Sequence, residues 1–167
     1  IILTQMIKLR YERGESGNVP SDKIDRAYFD NYRNTGPYGE VWNKFTDPDY
    51  LMNLIKIVWN RAKGYKLLVA GSASGELVGA LRERGIDAWG VENNRYIHGK
   101  TPKALRKYNK FGSLTKLPFK AEEFDFVFET SLCHVPEKQV KRAVRELNRV
   151  VKTGFVFGSV TSDMMPG

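Results

Sequence analysis

Lys66-Leu67-Leu68-Val69-Ala70-Gly71-Ser72-Ala73-Ser74-Gly75 is the stretch on which the fold turns. Its first half is a short apolar run, suited to a strand buried on both faces of a sheet. Its second half is a turn of small residues between two glycines, which lets backbone approach a ligand closely. Leu77, Val78 and Leu81 follow at helical spacing, and Gly85 closes that helix. A second strand is expected over 87–92. Strand, small-residue turn, helix and strand together open a βαβ unit.

Downstream the rhythm continues. A helix is expected over 101–108 with Ala104 and Leu105 inward, then a weak strand over 110–112 and a strand over 124–128. Pro136 opens a helix in which Val140, Ala143, Val144, Leu147, Val150 and Val151 form one apolar stripe. Gly154 is expected to end it, with a last strand over 155–160. Alternating strands and helices imply an α/β, Rossmann-like, doubly wound and mainly parallel sheet of about five strands. Upstream, Asp47 before Pro48 starts a helix with Leu51, Leu54, Ile55 and Val58 on one stripe, closed by Gly64. Two further helices are expected before it, one over 2–13 and one capped by Ser21 that runs through Ile24, Ala27, Tyr28 and Tyr32. The expected organisation is one compact domain, with residues 1–64 a helical segment on the substrate side and residues 65–167 the sheet core.

Composition narrows the class. The chain has 167 residues, 41% of them apolar and 28% charged, a balance typical of globular domains. No apolar run approaches the ~18 residues of a membrane span. The first residues lack the pattern of a signal peptide. Cys133 is the only cysteine, so neither an intrachain disulfide nor a cysteine zinc cluster can form. A cytoplasmic protein without a membrane or metal partner is the expectation. The net charge of +8 is concentrated: between Glu92 and Glu122 there is no acidic residue, and Arg95, Lys100, Lys103, Arg106, Lys107, Lys110, Lys116 and Lys120 all fall there. Such a segment is either a solvated face or an attractor for phosphates, nucleic acid or an acidic partner.

In an open parallel sheet, ligands bind at the carboxyl ends of the strands, where strand order reverses. The turn 71–75 ends the first strand there. Glu92 ends the second strand 17 residues after Gly75, a spacing at which a carboxylate accepts hydrogen bonds from the ribose hydroxyls of a nucleoside cofactor.

Further blocks specify which cofactor. Gly112-Ser113-Leu114-Thr115-Lys116-Leu117-Pro118-Phe119 precedes Glu123-Phe124-Asp125-Phe126-Val127-Phe128; Leu132-Cys133-His134-Val135 and Arg145-Glu146-Leu147-Asn148-Arg149-Val150-Val151-Lys152-Thr153-Gly154 follow. In their order and spacing, over residues 64–162, these blocks resemble the class I S-adenosylmethionine-dependent methyltransferases, especially the small-molecule branch. The resemblance implies that S-adenosylmethionine is the cofactor and that a small-molecule acceptor is methylated by in-line displacement. It places Gly71, Ser72, Ala73 and Gly75 along the methionine portion, Glu92 at the ribose, and Ser113 and Leu114 at the adenine. Glu129 and Thr130 would face the methionine end and the nucleophile. His134 and Glu129 are the candidate general bases; His134 also suits a packing role in its loop, and Cys133 suits a small buried hydrophobe. Tyr28 and Tyr38, from an aromatic-rich stretch, are candidate pocket residues beside His134.

Three positions depart from the family pattern. Val69 stands where an acidic residue is usual, Ala73 replaces the middle glycine of the loop, and Ser113 replaces an adenine-contacting Asp. One charge-assisted hydrogen bond is worth ~1.5–3 kcal/mol, so loss of the carboxylate at Val69 implies weaker binding. These departures keep open a catalytically silent protein of the same fold. The basic segment keeps open an RNA-directed methyltransferase or an RNA-docking face through Lys100, Lys103, Arg106, Lys107 and Lys110. Neither the Asn/Asp-Pro-Pro-Tyr signature nor a catalytic Pro-Cys is present, and a dehydrogenase fingerprint is missing too. The final antiparallel hairpin usual in the family has no counterpart before Gly167. A covering helix, a homodimer or further residues are therefore expected at the sheet edge.

Overall fold

The structure, a computed structural model, describes residues 47–157. The two expected N-terminal helices, Tyr28, Tyr38 and the end of the last expected strand lie outside these residues.

Five strands form one sheet: β1 (Lys66–Ala70), β2 (Asp87–Glu92), β3 (Asn109–Phe111), β4 (Phe124–Glu129) and β5 (Val151–Phe157). Their order is β3-β2-β1-β4-β5 and every pairing is parallel. The expected Rossmann-like sheet is thus present, and strand order reverses between β1 and β4. Side chains alternate across β1. Leu67 and Val69 join Leu51, Ile55, Leu77, Val78, Leu81 and Phe126 on one face, while Leu68 and Ala70 join Phe124, Val127, Ala143, Leu147 and Val150 on the other. The first face is covered by α1 (Pro48–Trp59) and α2 (Glu76–Glu83), the second by α4 (Glu137–Val150).

Asp47 caps α1, its Oδ1 accepting from the Asp49 amide at 2.8 Å. That helix stops earlier than the Gly64 signal suggested: Asn60, at φ +54°, is the left-handed residue that ends it. Leu51 and Ile55 are buried, but Val58 is exposed.

Two further expectations are corrected. Residues 101–108 hold a single 3-10 turn, Lys103–Leu105, and Ala104 is exposed. The helix of this crossover lies earlier, as α3 (Arg95–Gly99), because Asn94 caps it by accepting from the Tyr96 and Ile97 amides at 3.0 and 3.2 Å. Pro102 then takes an extended conformation (φ −52°, ψ 141°) and leaves no room for a second full helix. Gly154 does not terminate α4. The chain passes from Val150 directly into β5, and Val151 and Gly154 both pair with β4. Gly154 is needed for another reason: a Cβ there would lie 2.6 Å from the Trp59 ring, which packs over the strand.

Candidate cofactor site at the strand tips

The turn after β1 is held from several sides. The amides of Gly71 and Ser72 both donate to the Val91 carbonyl, at 2.9 and 3.1 Å. Gly71 has φ +80°, a region that favours glycine, and a Cβ on it would sit 2.5 Å from Ser131 Cβ. Glu92 reaches this turn from β2: its Oε2 accepts from the Ala73 amide at 3.0 Å and its Oε1 from the Asn94 amide at 2.8 Å. Glu92 is only 7% exposed. Burial pushes its pKa above the ordinary glutamate value, against the opposing effect of the Asn94, Ala73 and Asn93 amides. Ala73 itself is left-handed, at φ +50°. An alanine there carries a strain of about 1 kcal/mol that glycine escapes.

Beneath the turn lies a polar cluster that sequence reasoning missed. Asn109, 1% exposed at the start of β3, donates through Nδ2 to the Ala73 carbonyl at 3.1 Å and to Thr101 Oγ1 at 2.9 Å. Its Oδ1 accepts from Ser72 Oγ at 2.5 Å. Gly90 makes the space: a Cβ there would lie 2.6 Å from Ser72 Oγ and would also strike Asn109 Oδ1. A polar residue just before a weak strand signal, with a glycine in the neighbouring strand, was the only trace of this cluster in the sequence.

The turn after β4 faces the same switch point. Glu129 is buried, and its Oε1 accepts from the Ser131 amide at 2.5 Å, from the Leu132 amide and from Ser131 Oγ at 3.3 Å. Thr130 is buried as well. His134 ends the 3-10 turn Leu132–His134; its amide donates to the Ser131 carbonyl at 2.9 Å and its side chain is half-buried.

Ser113 and Leu114 follow β3. Ser113 Oγ accepts from the Thr115 amide at 3.2 Å, and Leu114 is buried in the core under α4. Two sequence blocks interlock here. Glu146 Oε2 accepts from the Leu117 amide at 2.8 Å, and Arg149 donates to the Phe119 carbonyl at 2.9 Å while pairing with Glu146 at 2.8 Å. Arg142 adds a bond to the Thr115 carbonyl at 2.9 Å. The Glu-x-x-Arg of α4 therefore straps down the Leu-Pro-Phe loop. The hydrogen bond from Arg149 is the main cause that holds the Glu146 carboxyl below its ordinary pKa.

The structure thus brings Gly71, Ser72, Ala73, Gly75, Glu92, Glu129, Thr130 and His134 to the carboxyl ends of the three central strands or the turns that follow them. The donor and acceptor set suits the ribose end of a nucleoside. An ionised carboxylate has about four acceptor positions, and the amides on Glu92 leave capacity for a hydroxyl. Gly71 lets the turn after β1 pass close against Ser131 of the turn after β4, where a side chain would not fit. The amino-acid end is less well served: Val69 is a core residue at 3% exposure, so β1 offers no carboxylate. Among the described residues, no group of three or more His, Cys, Asp and Glu could hold a metal ion, and no helix is long and apolar enough to cross a membrane.

A parallel sheet with a glycine-flanked bend and a carboxylate at the neighbouring strand tip defines a Rossmann-like nucleoside-binding protein. The comparisons narrow this. A family model described as "methyltransferase domain" matches residues 68–157, and the chain belongs to that family, within the class I S-adenosylmethionine-dependent methyltransferases. Solved structures share the fold. A candidate S-adenosyl-L-methionine-dependent methyltransferase from Methanococcus maripaludis has a TM-score of 0.59 and 15% identity, over 84% of this chain and 64% of that one. A candidate methyltransferase from an antibiotic biosynthesis pathway of Anabaena variabilis has a TM-score of 0.54 and 18% identity, over 65% of this chain and 44% of that one. The cyclase SpnF has a TM-score of 0.53 and 20% identity, over 85% of this chain and 60% of that one. The chain therefore spans about half to two thirds of the length of these structures. No curated protein matches the sequence.

Proposed function

We propose that this chain binds S-adenosylmethionine at the β1–β2–β4 tips and transfers its methyl group to a small-molecule acceptor by in-line displacement. The observation that carries the reading is Glu92, whose carboxylate lies 3.0 Å from the amide of the Ala73 turn although 19 residues separate them. The bound sulfonium supplies a methyl group already activated for displacement. The chain's residues hold and align. Glu92 accepts hydrogen bonds from ribose hydroxyls, and the Gly71–Gly75 backbone packs along the methionine portion. The Ser113–Leu114 segment, which leads into the loop strapped to α4 through Thr115 and Leu117, offers an edge to the adenine. With alignment as the main task, the protein needs a base only for an acceptor that carries a proton. The candidates to take it are His134, on the turn after β4, and Glu129, at the tip of that strand. The small-molecule reading is supported by the Leu-Pro-Phe and Leu-x-His-Val blocks.

Titration calorimetry with S-adenosylmethionine tests the reading. A heat of binding that disappears in Glu92→Ala is expected; no binding by the wild type at millimolar cofactor would sink it.

A second reading has its own observation. Among the described residues, no carboxylate lies within ion-pair distance of Arg95, Lys103, Arg106, Lys107 or Lys110. Lys110 lies in β3, the edge strand, where Phe111 is 44% exposed beneath the Arg95 guanidinium at 4.9 Å. Cations around an exposed ring suit a single-stranded RNA acceptor. A gel shift that weakens with salt and is lost in Lys103→Glu/Arg106→Glu/Lys107→Glu would favour RNA. A shift unchanged in that variant would leave the small molecule.

A further inference from the structure

The cluster beneath the cofactor turn assigns a task to a residue outside the family motifs. We propose that Asn109 is a positioning residue that holds the β1–α2 turn in its ligand-binding shape, and so takes over the work of the glycine that Ala73 replaces. The proposal rests on the cofactor reading above.

Ala73 occupies a left-handed conformation, and its peptide groups are gripped on both sides. Glu92 Oε2 takes the N–H at 3.0 Å and Asn109 Nδ2 donates to the C=O at 3.1 Å. A glycine would reach φ +50° unaided; an alanine does so only where its surroundings over-determine it. Asn109 is well suited to that. Both hydrogens of its amide are used, one on Ala73 and one on Thr101, and its oxygen takes the Ser72 hydroxyl. The amide therefore has one orientation, and of its three partners Ser72 and Thr101 are buried and Ala73 is half-buried. Ser72 lies one residue before Ala73, so Asn109 holds two consecutive residues of the turn. Ser72 and Asn109 can meet only because residue 90 is a glycine, since a Cβ there would strike both. Asparagine is required for its mixed chemistry. Aspartate has the same shape but turns an acceptor toward the Ala73 carbonyl and loses both donors.

A turn held in shape binds at full strength, whereas a turn that samples other shapes binds in proportion to its competent fraction. This gives the cycle of Asn109→Asp and Ala73→Gly a distinctive pattern. Calorimetry should show Asn109→Asp weakening S-adenosylmethionine tenfold or more. The effect of Ala73→Gly on affinity should depend on the background, smaller in the wild type, where the turn is already ordered, than in Asn109→Asp. Added to Asn109→Asp, Ala73→Gly should recover fivefold or more. Amide hydrogen exchange without ligand gives a second readout: exchange at residues 73–75 should quicken in Asn109→Asp and slow again in the double variant. Equal effects of Ala73→Gly in both backgrounds would overturn the proposal, as would unchanged exchange at the turn. If Asn109→Asp does not fold, the isosteric Thr101→Val, which removes one anchor of the amide, should show the same pattern at smaller amplitude. Absence of cofactor binding by the wild type would end the cofactor reading, while the exchange cycle would still decide whether Asn109 and Ala73 are coupled.

Discussion

Two buried glutamates, Glu92 and Glu129, end strands on either side of β1, and they do different work. Glu92 spreads its two oxygens between two segments, Oε2 to Ala73 and Oε1 to Asn94, and so ties the turn after β1 to the one after β2. Glu129 gathers its described bonds from Ser131 and Leu132 onto Oε1 alone and caps the turn that follows it. A carboxylate that bridges segments fixes their relative position, whereas the described bonds of Glu129 hold its own turn. Residue type and strand position are the same in both, so only the partners reveal the difference.

The same substitution, Glu→Gln, separates them most sharply. At residue 92 an amide must turn its NH2 toward one of two donating N–H groups. With the charge for ribose lost as well, S-adenosylmethionine affinity should fall about 100-fold, the equivalent of two charge-assisted bonds at ~1.5 kcal/mol each. At residue 129 the amide oxygen can keep the bonds that converge on Oε1. There, calorimetry should find affinity within about threefold and denaturant melts should lose about 1 kcal/mol, an ordinary hydrogen-bond difference. Similar losses of affinity at the two sites would erase the distinction.

The second-largest effect should come from the point where the two turns touch. Gly71→Ala combines a left-handed alanine with a Cβ 2.5 Å from Ser131 Cβ. Overpacking and strain together should cost about 2–4 kcal/mol in a denaturant melt. Ser131→Gly removes the obstructing Cβ and should restore the overpacking part, leaving the strain. No rescue would mean that the turns are not in contact.

A smaller effect is the pH response. Because burial raises the folded-state pKa of Glu92, the group contributes its full stability below the ordinary glutamate value and loses it as pH rises through the folded value. The ribose contact needs the ionised form, so binding runs the other way. Affinity should begin to fall on acidification at a higher pH than an ordinary glutamate would give. Calorimetry on progressive acidification should show that decline in the wild type and a flat, weak profile in Glu92→Gln. A wild-type profile as flat as the variant's would remove Glu92 from the ligand.

How much of this was legible depends on the range of the interactions. Lys66–Ala70 and Asp87–Glu92 announced themselves as strands, and Asp47 with Pro48 as a helix start, because apolar spacing and capping chemistry act within a few residues. The same is true of the glycine-flanked turn and of a carboxylate at the next strand tip. Misreadings came where a distant partner decided: Gly154 looked like a helix stop but is kept small by Trp59, 95 positions earlier in the chain. At 101–108 the apolar spacing was outweighed by Pro102 and by the Asn94 cap.

Local patterning by itself determined the order of elements, the parallel sheet and the place of the turn and of Glu92 along the chain, since apolar periodicity and turn chemistry are written in neighbouring residues. Tertiary structure alone decided that Glu92 bridges while Glu129 caps, and that Asn109, Thr101 and Ser72 gather under Gly90 to hold a left-handed Ala73. A buried polar side chain is stable only where its donors and acceptors are met. Those partners come from strands that are adjacent in space and far apart in sequence.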